Sequence, residues 1–294
     1  RHFPTVQQLA AAKKETVFKL WEGLGYYQRC KNLHATAGEI VRQHGGIFPN
    51  TYEGLLALKG IGPYTAAAIA SFAWNAPHAV VDGNVFRVLS RYFGSFTPID
   101  STTGKKEYGA LAQELLPPKK AAEYNQAIMD FGATVCKPRN PLCTTCVLRS
   151  NCAAHTQHSI HLLPVKEKKT GVKKRWFFYL VAEQAGKIYL FKRTGNDIWE
   201  NLYEFWLTET DSAVAVTDAL VKKWLAPLGK KISFRLASVS TPFSQRLTHR
   251  QIEAVFIELH ITGTVQHPGA IAVPRAQLVN YAFPKVVREY LELP

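Results

Sequence analysis

Four of the chain's five cysteines fall within 17 residues, CKPRNPLCTTCVLRSNC, from Cys136 to Cys152. The spacing is C-x6-C-x2-C-x5-C. Thiols this close together are either disulfide partners or metal ligands. Nothing in the chain points to secretion, which disfavours disulfides. Four thiolates can close a tetrahedral zinc site and can equally hold an iron–sulfur cluster, so ligand chemistry alone leaves both open. Cys30 stands apart and reads as a small core residue. Lys137, Arg139 and Arg149 lie between the ligands. A metal-pinned loop can present such cations to phosphates, or they can simply offset the thiolate charge.

A second constellation is KGIGPYTAAAIASFAW. Gly60 and Gly62 bracket Ile61, and Pro63 suits the first position of a helix. Two short helices joined by L-K-G-I-G-P describe a helix-hairpin-helix, anchored by Leu58. Its glycines let backbone N–H groups approach an anion at a helix N-terminus. Twenty residues after Gly62 comes Asp82, in VVDGNVFRVLSRYFG. A carboxylate at that helix start is favoured in its ionised form. Taken alone, such a residue reads as an N-cap.

The elements that must position these residues follow from the rest of the chain. Its 294 residues suggest two domains, and 47% hydrophobic residues suffice for a core in each. Lys and Arg number 36 against 22 Asp and Glu, a net charge of +14, which suits a polyanionic partner. No apolar run approaches membrane-spanning length, and no secretory signal opens the chain. FPTVQQLAAAKKETVFKLW reads as short helices, and GLGYYQRCKNLHATAGEIVRQHGG as a tight turn and a helix ending at Gly45-Gly46. Asn50 is the expected N-cap of the next helix, with Glu53 three residues on. LLPVKEKKTGVKKR, Leu162 to Arg175, reads as a solvated basic linker. From Trp176 the period changes to strands: WFFYLVAE and KIYLFKR flank a hairpin at Gln184-Ala185-Gly186, and NLYEFWL and IEAVFIELHITG continue the pattern. TDALVKKWLAPLG is an amphipathic helix. The expected fold class is multidomain, α plus α/β, with boundaries at 1–153, a linker at 154–175, and 176–294.

GLGYYQRCKNL, LKGIGPYTA, VVDGNVFRVLSR and NQAIMDFGATVC occur in that order before the four-cysteine loop. Across residues 1–152 the chain resembles the MutY-type adenine DNA glycosylases of the helix-hairpin-helix superfamily. The resemblance implies a four-iron four-sulfur (4Fe-4S) cluster on Cys136, Cys143, Cys146 and Cys152. It implies as partner double-stranded DNA containing adenine opposite 8-oxoguanine, and as reaction hydrolysis of the adenine N-glycosidic bond. Asp82 matches the family carboxylate that stabilises the oxocarbenium-like sugar. At ~4 Å and an effective dielectric of ~20 such a pair is worth roughly 4 kcal/mol, about a thousandfold in rate. Asn84 is placed to orient it. Tyr64 falls where endonuclease-III-like relatives place the lysine of Schiff-base lyase chemistry, which implies a monofunctional glycosylase. Tyr26 matches the aromatic inserted beside the oxidised guanine, which helps expose the base to be flipped; Tyr27 reads as core. Gly60, Gly62 and the basic loop are the implied DNA contacts.

The second half resembles the Nudix-like C-terminal domain of the same family. Nudix hydrolases hold Mg²⁺ on an acidic helix of R-E-x-x-E-E type. No such cluster occurs between Trp176 and Pro294, so a reader is expected here rather than a hydrolase. In FSQRLTHRQIEAVF the triplet Leu247-Thr248-His249 matches the family's Phe-Ser-His contact to 8-oxoguanine. Thr248 keeps the hydroxyl, His249 keeps the ring donor, and Leu247 replaces the aromatic. Adenine must be protonated to leave. The family carries that acid as a Glu on a helix before the point where this sequence begins, and none of Glu15, Glu22, Glu39 and Glu53 matches its motif. Two functions are therefore expected: an adenine glycosylase or, alternatively, a non-catalytic lesion binder. A monomer without membrane contact is expected, in the cytoplasm and on the nucleoid if the source is bacterial.

Overall fold

Short amphipathic segments punctuated by Gly, Pro and Ser/Thr/Asp caps produce short helices first and strands afterwards. In the computed structural model, which describes residues 1–167 and 171–292, the helical part contains α1 (Val6–Ala11), α2 (Lys14–Trp21), α3 (Tyr27–His44), α4 (Tyr52–Leu56), α5 (Pro63–Trp74), α6 (Gly83–Phe93), α7 (Thr102–Leu115), α8 (Ala121–Thr134) and α9 (Ala153–Thr156). There follow β1 (Lys173–Gln184), β2 (Lys187–Lys192), β3 (Tyr203–Glu204), β4 (Trp206–Thr210), α10 (Asp218–Leu225), β5 (Ser233–Val239), β6 (Phe243–Arg246), β7 (Arg250–Thr262), β8 (Ala270–Pro274) and α11 (Lys285–Leu291).

The chain packs as two compact units, and they do not follow chain order. One is Ala35–Lys169; the other joins Arg1–His34 to Thr170–Pro294. The boundaries read from sequence assign the first 34 residues to the helical half. Their apolar faces instead bury against the strands: Val17, Phe18 and Cys30 share one core with Phe177, Tyr179, Ile252, Phe256 and Phe283.

Within Ala35–Lys169 the helix signals act locally. The cap of α4 is Thr51, not Asn50. Its backbone is extended and its hydroxyl accepts the Gly54 N–H at 3.1 Å. The helix begins one residue later than expected, and a threonine hydroxyl reaches the orphan N–H of the first turn as well as an amide does. Pro63 opens α5, and Gly60 takes the left-handed conformation (φ +77°) that the hairpin turn requires. Asp82 caps α6. The core between α6 and α7 holds Val85, Leu89, Ile99, Tyr108 and Ala112. Helix α8 approaches α6 closely because residue 132 is glycine: a Cβ there would stand 2.7 Å from the Asn84 Cβ. The basic stretch after Cys152 is only partly solvated. Leu163 is buried and the Ile99 N–H donates to the Val165 carbonyl, while residues 168–170 of that stretch lie outside those described.

The other unit is an eight-stranded sheet of order β3-β2-β1-β7-β5, with β4 also on β1, β6 on β7 and β8 on β2. Strands β1 and β7 run parallel from Lys173↔Arg250 to Glu183↔His260. The β1–β2 turn has Ala185 and Gly186 at φ +49° and +73°. Positive φ at both central residues is the geometry whose twist matches a two-residue hairpin. Residues 177–182 of β1 are buried without alternation, because both faces of the sheet are covered. Tyr179, Phe205 and Phe256 meet α2 and α11 on one side. Phe178, Leu180, Val255 and Ile257 meet Trp224 and Leu225 of α10 on the other. Each such side chain contributes about 1.5–3 kcal/mol by burial, and Phe256→Ala would remove about 3–5 kcal/mol.

Candidate nucleic-acid site

In the helical unit the site begins with the α6 cap. Asp82 Oδ1 accepts the N–H groups of Asn84 and Val85, both at 2.8 Å, and Oδ2 accepts the Asn84 Nδ2 amide at 3.0 Å. All three donors are neutral, and among the described residues no ion pair reaches Asp82. The carboxylate is oriented by neutral donors, and its cationic neighbour Arg87 acts on it through space without an ion pair. Helix N-termini favour the carboxylate charge.

The amide of Asn84 is itself held. Its Oδ1 accepts Arg87 Nη2 at 2.8 Å. Arg87, 7% exposed, also donates to the carbonyls of Gly132 (2.6 Å), Cys136 (2.7 Å) and Gly83 (3.3 Å). Burial pushes its pKa down from the usual guanidinium value. One buried side chain thus joins the residue that orients Asp82 to the first residue of the cysteine loop. One turn on, Arg91 donates to the carbonyls of Leu163, Lys137 and Pro138 and to Cys136 Sγ at 3.5 Å.

All four clustered cysteines are free thiols. They line one cavity, whose other walls are mainly apolar and include Val88, Phe131 and Leu148. It encloses about 40 Å³, several times the ~10–15 Å³ that one water needs. Burial, and then the neighbouring Cys136, Cys146 and Cys152, raise the Cys143 pKa, so a cationic occupant must draw the proton off. Among the described residues no three His, Cys, Asp or Glu are placed to hold one metal ion. Four thiols lining one cavity fit a thiolate-bound metal centre. Around the cavity Arg139 and Arg149 are exposed and Lys137 half-buried. Tyr64, in the first turn of α5, is half-exposed and its hydroxyl donates to Met129 Sδ at 4.0 Å. Gly62 has extended backbone and caps α5.

The sheet-bearing unit carries the second group. Gly23, Gly25 and Tyr26 lie at φ +89°, +71° and +47°, forming a tight reversal before α3. The reversal leaves Tyr26 67% exposed, with the Arg29 guanidinium 4.7 Å from its ring centre. Tyr27 turns inward, stacks on Phe18 and accepts the Gly23 N–H at 3.3 Å. In the β6–β7 turn Thr248 and His249 are exposed, whereas Leu247 packs against the core. A cavity of about 440 Å³ is lined by Tyr26, Gln28, Lys31, Glu200, Gln245 and Thr248, among others. The structure therefore brings Tyr26 and Thr248 to one cavity; His249 lies outside its lining.

Several residues here escaped the sequence reading. Lys31 and Glu200 form an ion pair at 2.8 Å, and Asp197 is surrounded by Arg175, Arg193 and Arg250. Apart from Arg193, four residues before Asp197, these partners lie far apart in sequence and leave no local signal. The alternation of β6 could have flagged Gln245, two residues before Leu247 on the same face. Of the early glutamates, Glu15 pairs with Lys192, Glu39 accepts the Lys59 N–H, and Glu22 accepts the Phe283 N–H.

A model of the HhH-GPD superfamily of base excision DNA repair proteins matches residues 1–118, and one of the NUDIX domain matches residues 177–293. These agree with the helical and α/β classes read from sequence. The chain is 32% identical over 204 residues to an adenine DNA glycosylase of Buchnera aphidicola subsp. Acyrthosiphon pisum, covering 69% of this chain and 58% of that relative. It is 31% identical over 250 residues to the adenine DNA glycosylase of Buchnera aphidicola subsp. Baizongia pistaciae, covering 85% and 68%. It spans, then, 58% to 68% of the length of these curated relatives. Among solved structures, a thermostable thymine-DNA glycosylase superposes with TM-score 0.50 at 30% identity, covering 53% of this chain and 72% of that one. No helix among the described residues is long and apolar enough to cross a membrane.

Proposed function

The chain belongs to the adenine DNA glycosylase family, and we propose that it acts in base excision repair, removing adenine mispaired with 8-oxoguanine or guanine in duplex DNA. The observation that carries this reading is the Asp82 carboxylate, oriented by three neutral donors with its charge unpaired. When the N-glycosidic bond breaks, its electron pair leaves with adenine and positive charge develops on the sugar. A fixed anion beside that charge stabilises the transition state more than the ground state. Water then adds to the sugar. Tyr64 stands in the first turn of α5, where a lysine would be needed for Schiff-base cleavage of the backbone, so the enzyme is read as monofunctional.

Cys136, Cys143, Cys146 and Cys152 would hold a 4Fe-4S cluster, which supplies a fixed scaffold for the loop presenting Lys137, Arg139 and Arg149 to phosphates. Gly60 and Gly62 bring the hairpin backbone to the DNA. Tyr26, Thr248 and His249 read the oxidised guanine. Ala35–Lys169 would thus form the glycosylase part and Arg1–His34 with Thr170–Pro294 the lesion reader, acting as a monomer in the compartment that holds the DNA.

A second reading is a lesion binder that releases no adenine. It is favoured by the engagement of Glu15, Glu22 and Glu39 in ion pairs or hydrogen bonds, which draws these three carboxyls away from the role of general acid. Single-turnover release of adenine from an A:8-oxoguanine duplex separates the two. Release abolished by Asp82→Asn supports the glycosylase. Tight lesion binding without release supports the binder. Iron analysis tests the cofactor: about four irons per chain are expected, and one zinc per chain would overturn that assignment.

A further inference from the structure

The two elements assigned to lesion reading, the Tyr26 reversal and the Thr248 turn, are separated by more than 200 positions in sequence, yet both line one cavity. The start of α11 lies hydrogen-bonded to each. On one side Glu22, the residue closing α2 directly before the reversal, points its carboxylate at this element. Oε1 accepts the Phe283 N–H at 2.7 Å, and Oε2 accepts Lys19 Nζ at 2.5 Å, with Arg288 Nε of α11 at 3.9 Å. Lys19 also donates to the Tyr281 carbonyl at 3.0 Å. The side chain of Glu22 is only 7% exposed, so these bonds are shielded from water and hold a preferred geometry. Gly23 is pressed against the same helix: a Cβ there would stand 3.0 Å from Arg288 Nη1.

On the other side Gln245 of β6 faces the first turn of α11. Its Oε1 accepts the Val286 N–H at 3.1 Å. That N–H belongs to the first turn of the helix, which has no intrahelical acceptor. Gln245 therefore caps α11 and, two residues later, the chain enters Leu247-Thr248-His249. The bonding runs from the Tyr26 reversal through Glu22 to Phe283 and from Val286 through Gln245 to the Thr248 turn. Residues 283–286, with Pro284 between the two bonded N–H groups, are stiff in φ at one position.

We propose that residues 283–286 form a strut that fixes the separation of the two lesion-reading elements, with Glu22 and Gln245 as its positioning residues. This rests on the proposal that Tyr26 and Thr248 read the oxidised guanine. The reader is then a gauge whose width is set from behind rather than by the side chains touching the base, and the oxidised base is discriminated from guanine by fit as well as by donors.

The test uses the full chain and measures equilibrium affinity for duplexes carrying A:8-oxoguanine and A:G, by fluorescence anisotropy. Glu22→Ala and Gln245→Ala should each lower the ratio of the two affinities, by about three- to tenfold, the scale of one lost hydrogen bond. The double variant should lose no more than the larger single loss, since a strut broken at one end is already broken; independent contacts would add. Gln245→Glu keeps the accepting oxygen for the Val286 N–H and should restore most of the ratio. Equal loss on both duplexes, additive losses, or an unchanged ratio would each overturn the strut. If Glu22→Ala does not fold, Gln245→Ala and its rescue carry the same decision. Absence of any preference in the unaltered chain would instead overturn the lesion reading itself, and the strut with it.

Discussion

Asp82 and Asp197, one in each compact unit, are both fully hydrogen-bonded aspartates, and they put the same chemistry to opposite ends. Asp82 takes three bonds from neutral amides. Asp197 takes most of its bonds from guanidinium groups: Arg175 at 2.7 and 3.0 Å, Arg250 at 2.7 Å and Arg193 at 3.3 Å. Neutral donors fix a carboxylate and leave its charge to act on whatever arrives. Cationic donors fix it and cancel the charge. The first arrangement suits an electrostatic catalyst. The second suits a brace, and Asp197 does brace a loop in which Trp199 and Asn201 are held at φ +61° and +72°.

The comparison breaks most visibly if Asp82 loses its charge. Asp82→Asn keeps an oxygen that can accept the Asn84 and Val85 amides, so α6 should stay capped. The rate of adenine release should fall by about a thousandfold or more, the value of one unscreened charge at close range. Affinity for the lesion duplex should change little. Single-turnover kinetics beside equilibrium binding check both. A comparable fall for Asp197→Asn would show that orientation, not free charge, is what matters.

Much of the Asp82 site was legible in the sequence, because its signals are local. A cap residue directly before an apolar-periodic run, Pro63 opening the preceding helix and four cysteines within one loop depend on residues a few positions apart. Even the error at Asn50 was local, a shift of one residue between two capping types. The Asp197 site was not legible. Arg193 is four residues away, but Arg175 and Arg250 lie 22 and 53 residues away along the chain, and only the parallel pairing of Lys173–Glu183 with Arg250–His260 brings them together. The same reasoning explains why the packing of residues 1–34 with the sheet escaped notice. Val17 and Phe18 read as an ordinary apolar face, and sequence does not say which core that face will join.

The next largest effect should come from Arg87, which ties the Asp82 site to the cysteine loop. Arg87→Met keeps the aliphatic length and removes the donors for three buried or half-buried carbonyls and for Asn84 Oδ1. Stranded acceptors cost about 1–3 kcal/mol each when water cannot reach them, so a loss of about 3 kcal/mol in denaturant stability is expected. Metal retention during dialysis should fall in parallel, because the Cys136 carbonyl loses its anchor. Full retention would separate the two sites.

Asn84→Ala is a finer probe. It removes the bond to Asp82 Oδ2 and keeps both backbone bonds, and its Cβ still meets Gly132. Hydrogen bonds to a charged group are worth about 1.5–3 kcal/mol. The rate of release should therefore drop by about ten- to a hundredfold, clearly less than for Asp82→Asn. An equal drop would mean that the orientation given by Asn84 is indispensable to the carboxylate.

The smallest effect tests the other side of the comparison and is read through pH. Burial raises the Asp197 carboxyl, but hydrogen bonds from Arg175 and the Ile198 N–H, with the charges of Arg175 and Arg250, outweigh it and hold the pKa at about 2 against an ordinary 3.8. A carboxyl whose folded pKa is depressed binds fewer protons than its unfolded form at intermediate pH. Its stabilisation is complete above 3.8 and is lost as pH falls through about 2. Asp197 is 30% exposed, so solvent screening reduces the contribution to about 1 kcal/mol. Denaturant midpoints measured between pH 4.5 and 2.5 should fall more steeply for the unaltered chain than for Asp197→Asn, the difference between them cancelling changes common to both. Protection of the amides of residues 194–202, taken relative to their intrinsic exchange rates, should fall over the same interval in the unaltered chain. In Asp197→Asn that protection should be lower throughout and nearly flat with pH. Identical slopes would mean that the three guanidinium groups hold the loop through their other partners, Glu204 and Glu209, and that Asp197 adds geometry without charge.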